Sequence, residues 1–174
     1  SSADALIKAG ALMNDRNGSG NPLLHEAAAS ERFSLVNLFL KNKADPNILN
    51  QKNETLIMVL SKTPYTGTKD RAKSTQAAKL ISSLAASGSN AELADKYGRT
   101  PLNIACRQKN LIIIQALLKG GAKVDAPDSS GNTALKRSVL DYTGDYRTSE
   151  KEKKSLIQLI DLLIKNGADI NAKD

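Results

Sequence analysis

The sequence is poor in the residues on which most catalytic sites and large cores depend. Aromatic residues make up 3% of its 174 residues, and it contains no tryptophan, one cysteine and one histidine. A single cysteine excludes an internal disulfide framework. One histidine and one cysteine cannot supply a zinc site with the usual ligand spacing. So few aromatics would leave a single globular core thin, whereas stacked layers of Leu, Ile, Val and Ala need none.

The sequence also lacks an apolar run of membrane-spanning length and an N-terminal signal-peptide pattern. We therefore expect no membrane span and, with the lone cysteine, a cytoplasmic location. The formal net charge is +7. Residues 62–79 hold five basic residues and one acid, whereas residues 136–154 are largely self-neutralising. Because few aromatics are interleaved with these charges, the pattern disfavours nucleic acid as a partner and leaves steering of an acidic partner open.

A short motif of the form Gly-Ala-x-x-Asn returns along the chain at a fixed spacing. Its copies start at Gly10, Lys43, Gly88, Gly121 and Gly167, which gives steps of 33, 45, 33 and 46 residues. A 33-residue period that is stretched twice by 12 or 13 residues predicts stacked repeats rather than one globular core.

One complete period lies between residues 95 and 126. A turn leads to Pro101 near the first position of a helix, where its missing N–H costs nothing. Residues 108–110 break this helix, and apolar residues at helical spacing between 111 and 118 predict a second one. Gly120 and Gly121 then end the second helix. Neither helix can bury its apolar stripe alone, so the unit must stack on copies of itself.

The segment Gly98-Arg99-Thr100-Pro101-Leu102-Asn103-Ile104-Ala105 resembles the ankyrin repeat family. That family's pattern is Gly-x-Thr-Pro-Leu-His-x-Ala, two antiparallel helices and then Gly-Ala-Asp-x-Asn. Less regular copies start at residues 20, 53 and 131, and the resemblance covers nearly the whole chain. It implies an all-α ankyrin repeat solenoid of stacked helix-turn-helix units in one domain, residues 1–174. The units are a half-repeat at 1–14 and repeats at about 15–47, 48–92, 93–125 and 126–171. Since both ends fall inside a repeat, we expect a fragment of a longer protein.

The resemblance also assigns structural roles to the residues that could otherwise carry chemistry. His25 occupies the family's histidine position and is expected to brace a turn. Cys106 stands where the family has a small buried alanine, and a buried thiol is inert. Asp45, Asp169 and Asn171 are expected to tie the turns between repeats. We therefore expect no catalytic residue, no cofactor, no metal and no enzyme activity.

The two long repeats carry insertions at residues 62–74 and 141–152, each with a Tyr-Thr-Gly tripeptide. Thr-Gly suits a turn, and Ser149 with Glu152 forms a capping-box pattern. Each insertion is therefore predicted to be a loop followed by one or two extra turns on the second helix. Two alternatives remain for Tyr65 and Tyr142: packing on the neighbouring helices, or projecting together as a contact surface.

The resemblance implies a non-catalytic protein–protein interaction module that binds a partner protein on its concave face and along its loop edge. In the family this face is lined by the turn tips and the first helices. Tyr97 is the expected anchor, because Tyr and Arg dominate interface hot spots. Carried position by position, and with the loop tyrosines added, the candidate partner-binding residues are Gln51, Lys52, Glu54, Lys62, Tyr65, Lys96, Tyr97, Arg99, Arg107, Gln108, Ser129, Ser130, Asn132 and Tyr142.

Two other functions stay open on the sequence. The array could recruit the substrate of a larger enzyme or belong to a secreted bacterial effector, because its irregular repeats resemble the ankyrin proteins that intracellular bacteria deliver into host cells. In that case the location would be the host cytosol. Alternatively, the basic chain could be a platform for nucleic acid or anionic lipid. A monomer is expected in each case.

Overall fold

The computed structural model describes residues 14–64, 68–142 and 149–172. These residues form eight helices in four consecutive pairs, and their only extended pairing is an isolated bridge between Arg16 and Pro22. The fold is the predicted all-α array of helix pairs. The helices are α1 Leu23–Ala29, α2 Phe33–Lys41, α3 Leu56–Ser61, α4 Thr68–Ala86, α5 Pro101–Arg107, α6 Leu111–Lys119, α7 Ala134–Leu140 and α8 Glu150–Lys165.

The helices lie in two layers. In one layer the first helices of the pairs pack in series, α1 on α3, α3 on α5 and α5 on α7. In the other layer α2 contacts α4, and α4 packs along α6. A continuous apolar core runs between the layers, and burying each large side chain in it contributes about 1.5–3 kcal/mol. Fully buried members of this core are Leu24, Leu56, Ile57, Leu60, Leu102, Ile113, Leu117, Leu159 and Leu163.

The turn before each first helix has the same hydrogen-bonded form. One side-chain oxygen accepts two backbone N–H groups at 2.8–3.0 Å, from the residues two and four positions later. The four acceptors, spaced by 33, 45 and 33 residues, are Asn17, Asn50, Asp95 and Asp128. The residue three positions after each acceptor has a φ between +57° and +75°. Such Asx turns mimic a backbone turn with a side chain, and we call them the tips.

Threonine side chains start three of the first helices. Thr55, Thr100 and Thr133 accept the backbone N–H of the third helical residue at 3.4, 3.3 and 3.2 Å. Such caps are each worth about 1 kcal/mol. Pro101 is the first residue of α5, as its position in the motif predicts.

The insertions lengthen the second helices. α4 has 19 residues and α8 has 16, against 9 in each of α2 and α6. At 3.6 residues per turn the extensions amount to about three turns and two turns, so the prediction is right for α8 and one turn too short for α4. The capping box at the start of α8 is confirmed. Ser149 Oγ accepts the N–H of Glu152 at 3.3 Å, and the Glu152 carboxylate accepts the N–H of Ser149 at 2.9 Å.

Some of the predicted features fall outside the described residues. They are the half-repeat up to residue 13, Tyr65 with its following Thr-Gly, and the Thr-Gly after Tyr142. Tyr142 itself is half-buried and packs against the apolar core. For this tyrosine the structure shows the packing alternative.

Candidate functional site

Hydrogen bonds join the tips in two pairs, the first to the second and the third to the fourth. The Arg16 guanidinium donates to the carbonyl oxygen of Leu49 at 3.1 Å, which connects the first tip to the second. The Ser129 N–H donates to the carbonyl oxygen of Tyr97 at 3.1 Å, which connects the third to the fourth. Each tip is also stabilised by the hydrogen bonds of its own Asx turn. The row of tips therefore holds its exposed side chains on a well-ordered backbone.

Tyr97 is the most prominent side chain in this row. It is 54% exposed, and two cations lie over its ring, with Lys96 Nζ 5.0 Å and Arg99 Cζ 4.7 Å from the centroid. Cations at these distances are attracted to the ring face. The third tip therefore presents an exposed aromatic ring together with two cations.

Asp95 fixes the position of Arg99. Its Oδ2 accepts from Arg99 Nε at 2.8 Å and from Arg99 Nη2 at 2.6 Å, a bidentate pair. Burial opposes ionisation of Asp95, but the hydrogen bonds from Arg99 and from the Tyr97 N–H outweigh it and lower the pKa of this carboxyl. The carboxylate stays charged, and the guanidinium is kept beside the tyrosine.

The structure divides the other predicted contact residues into exposed and buried groups. Exposed on the tips are Gln51, Lys52, Ser129 and Ser130. Glu54 and Asn132 are buried, at 4% and 7% exposure. Both residues are expected to contact a partner, but the structure buries them inside the tips, where they stabilise the turns. The reason is local: Glu54 accepts from Asn50 Nδ2 at 3.1 Å and pairs with the half-buried Lys62.

The two predicted residues at the end of α5 point to different parts of the array. Arg107 is exposed and forms a 3.7 Å ion pair with Asp141, at the end of the neighbouring first helix. Gln108 is half-buried in the turn to α6 and lies beside α8, in the layer of second helices. The structure therefore does not bring Gln108 together with the tips.

Asn110 is an important residue that the sequence analysis treats only as a helix break. It is fully buried. Its Nδ2 donates to the carbonyl oxygen of Thr63 and to Ser74 Oγ, both at 2.9 Å, and its Oδ1 accepts the N–H of Ile113 at 3.3 Å. One amide thus caps α6 and attaches it to the start of the insertion and to α4. An asparagine before an apolar run is an N-cap signal, but it does not reveal distant partners.

The residues with potential chemistry have the structural roles expected of them. Cys106 is buried, and burial raises the pKa of its thiol to about 12, so it carries no thiolate at neutral pH. Asp45 and Asp169 accept the N–H groups of Asn47 and Asn171 at 2.9 and 2.8 Å. In the described ranges no three His, Cys, Asp or Glu side chains are grouped so that they could hold a metal ion.

His25 braces the next tip, as the motif predicts. It is buried, and its Nε2 lies 2.9 Å from the carbonyl oxygen of Glu54, so Nε2 carries a hydrogen and donates. Nδ1 has no hydrogen-bond partner within the described part of the chain. Asn103 occupies the equivalent position in the third repeat, and its Nδ2 donates to the carbonyl oxygen of Ala126 at 3.4 Å. The shorter asparagine therefore reaches a different carbonyl, two residues before the Asx acceptor Asp128, and not the equivalent of Glu54.

The burial of His25 predicts that the array loses stability in mild acid. Burial lowers the pKa of His25, the carbonyl and carboxylate of Glu54 oppose this effect, and Arg16 adds to it. The unfolded chain, with a histidine pKa of about 6.5, then binds a proton that the folded chain does not. Stability is therefore complete above about pH 6.5 and falls below it by at most about 1.4 kcal/mol per pH unit.

Thermal unfolding at pH 7.5 and 5.5 tests this prediction, and the melting temperature should fall by about 2–4 °C. His25→Asn should be less stable at both pH values but should show a smaller difference between them. Because His25 is the only histidine, its NMR titration gives the folded pKa directly. A value of 6.5 or above would contradict the prediction.

Comparison with known proteins identifies the family. Residues 71–174 match the model of ankyrin repeats in three copies, and residues 19–51 match the model of a single ankyrin repeat. The chain belongs to the ankyrin repeat family, whose arrays are generally protein–protein interaction modules. None of the helices in the described residues is long and apolar enough to cross a membrane.

Two curated proteins illustrate the likeness. The chain is 32% identical over 135 residues to the nuclear factor NF-kappa-B p105 subunit of Gallus gallus, covering 75% of this chain and 12% of that protein. It is 31% identical over 120 residues to a transient receptor potential cation channel subfamily A member 1 homolog of Caenorhabditis elegans, covering 62% of this chain and 10% of that protein. The chain thus spans only a small part of the relatives it matches.

Proposed function

We propose that the chain is a non-catalytic module that binds a partner protein on the tips and the adjacent first helices, the concave face of the family. The observation that carries the proposal is Tyr97, which is exposed and has Lys96 and Arg99 over its ring. A tyrosine with few rotatable bonds, whose neighbours are already ordered, costs little entropy to bury against a partner.

The tips also indicate the partner's chemistry. Lys96 and Arg99 lie beside Tyr97 on the third tip, and Lys52 is exposed on the second. Asp95, the acid at the third tip, is buried and already paired. A partner surface that offers an apolar group to the ring and carboxylates to the cations would be complementary in charge and shape.

Substitution of Tyr97 by alanine tests this proposal on a partner captured with the wild-type array. Binding should weaken by about 2 kcal/mol or more, roughly 30-fold, while the melting temperature stays nearly unchanged, because an exposed ring contributes little to folding. Ile157→Ala, which removes an equally exposed apolar side chain from α8, is the matched control and should leave binding unchanged. A partner that binds both variants as tightly as the wild type would refute the role of the tips.

An alternative is that the same tips recruit a substrate for catalytic machinery elsewhere in a larger polypeptide. The small share of each relative that the chain covers supports considering it. The tip contacts would be the same, but the captured partner would be chemically altered by the full-length protein and not by the array.

A further inference from the structure

The alternation of long and short second helices leaves a trough in the outer layer. The short helix α6 lies between the long helices α4 and α8. The trough has a volume of about 640 Å³; its walls come from the first turns of α4 and α8, and its floor comes from the turn before α6 and the first residues of α6. This layer is separate from the tips, so any ligand of the trough would be additional to the partner proposed above.

The trough continues as a groove because α6 and α8 do not pack closely. α4 packs along α6 through small residues, and a Cβ added at Gly120 would lie only 3.0 Å from the Cβ of Ala85. On its other side α6 faces polar and charged side chains of α8, among them Gln158, Asp161 and Lys165, across a further 380 Å³. The groove follows α6 from Leu111 to Gln115, about 6 Å at 1.5 Å per residue.

The floor of the trough is apolar and its rim is cationic. Leu111 and Ile112 are half-buried on the floor. Arg71, Lys109 and Lys151 line the rim, and in the described part of the chain none of the three forms an ion pair. Hydrogen bonds from Ser149 lower the pKa of Glu152, and the charge of Lys109 lowers it further, so Lys109 already has an acid nearby. Arg71 and Lys151 are the cations that remain to meet an anionic ligand.

Glu152, the one acid among the described residues that line the trough, is already engaged. Glu152 is the capping-box residue of α8, and its Oε2 accepts the N–H of Ser149 at 2.9 Å and the Oγ–H of Ser149 at 2.8 Å. Because these bonds hold the carboxylate against its own helix, it neutralises only part of the rim charge. The trough therefore keeps a net positive charge above an apolar floor.

We propose that the trough binds an acidic peptide segment of a partner protein. An apolar side chain of the peptide would cover Leu111 and Ile112, and its carboxylates would face Arg71 and Lys151. Charge complementarity of this kind selects the partner and speeds its association. Nucleic acid fits less well, because the described residues that line the trough include no aromatic side chain on which a base could stack.

The test uses a fluorescein-labelled ten-residue peptide of glutamate and leucine, and the same peptide with glutamine in place of glutamate. Fluorescence anisotropy should show binding of the glutamate peptide at least tenfold tighter than binding of the glutamine peptide. The double charge reversal Arg71→Glu with Lys151→Glu should weaken binding of the glutamate peptide by at least tenfold. Both substitutions place an acid in a first helical turn, where it favours the helix, so the variant should fold.

The matched control is Lys43→Glu with Lys123→Glu, which changes the net charge equally at two exposed positions outside both the trough and the tips. This control should change peptide binding by less than threefold, and Tyr97→Ala should not change it at all, so failure here is distinguishable from failure of the tip proposal. Equal losses in both double variants would show general charge attraction and overturn the proposal. Tighter binding to single-stranded RNA or to phosphatidylserine vesicles than to the peptide would also overturn it.

Discussion

Substituting Gly98 with alanine should lower the free energy of unfolding by about 2–5 kcal/mol, a large share of the 5–15 kcal/mol typical of a domain. Gly98 has a φ of +70°, where an L side chain costs about 1–2 kcal/mol. An added Cβ would also lie 2.4 Å from Ser129 Oγ and 2.5 Å from the Ser129 backbone nitrogen. Because that nitrogen belongs to the next tip, relief would require two repeats to move apart, an overpacking cost of about 1–3 kcal/mol.

Gly121→Ala is the control for Gly98→Ala. Gly121 has a φ of +88°, but nothing lies within 4 Å of the Cβ it would gain. Gly121→Ala should therefore lower the free energy of unfolding only by the cost of the backbone conformation, about 1–2 kcal/mol. Urea unfolding followed by circular dichroism measures both variants. Equal losses would show that the contact with Ser129 contributes nothing and that only the backbone conformation matters.

Substituting Asn110 with alanine should lower the free energy of unfolding by about 3–4 kcal/mol. The loss of the α6 cap costs about 1 kcal/mol. Removal of Nδ2 leaves the Thr63 carbonyl and the buried Ser74 hydroxyl without this donor, and an unsatisfied buried polar group costs about 1–3 kcal/mol. Hydrogen exchange should increase most in the first half of α4 and in the first turn of α6, the two elements that Asn110 connects.

The comparison for Asn110 is Asn166→Ala. Asn166 follows α8, is exposed and makes a single side-chain hydrogen bond, from Nδ2 to the carbonyl oxygen of Leu162 at 2.7 Å. Its loss should cost about 0.5 kcal/mol, as is usual for an exposed site. If the two asparagines cost the same to remove, the buried network around Asn110 does not hold α4 to α6.

The sequence predicts those parts of the fold that depend on local signals. Pro101, the threonine caps and Gly121 each act within one turn of the chain, and each lies where the motif places it. The start of α4 is missed because its first residues, Thr68 to Ala72, show no apolar periodicity that would mark a helix. A polar helix start is stabilised by contacts with other parts of the chain, such as the hydrogen bond from Asn110 to Ser74. Such contacts cannot be read from the local sequence.

The sequence predicts the candidate site less well than it predicts the fold. Tyr97 is exposed as expected. Glu54 is instead buried, where it forms an ion pair with Lys62, eight residues later in the chain. Asn110 finds partners 36 and 47 residues away, which no local pattern specifies. The trough depends on the relative lengths of three helices and so becomes visible only once all three are placed.

The 33, 45 and 33 residue spacing of the Asx acceptors has a consequence for how this architecture can change. The second step contains twelve more residues than its neighbours, yet α3 packs on α5 as α1 packs on α3. Growth between the two helices of a repeat therefore widens the array without altering its axial pitch. The tips and first helices set the spacing between repeats along the array, and the connection between the two helices of a repeat sets how far the array extends sideways. These two dimensions can therefore vary separately. A peptide grafted into that connection should extend the side of the array while every tip keeps its register.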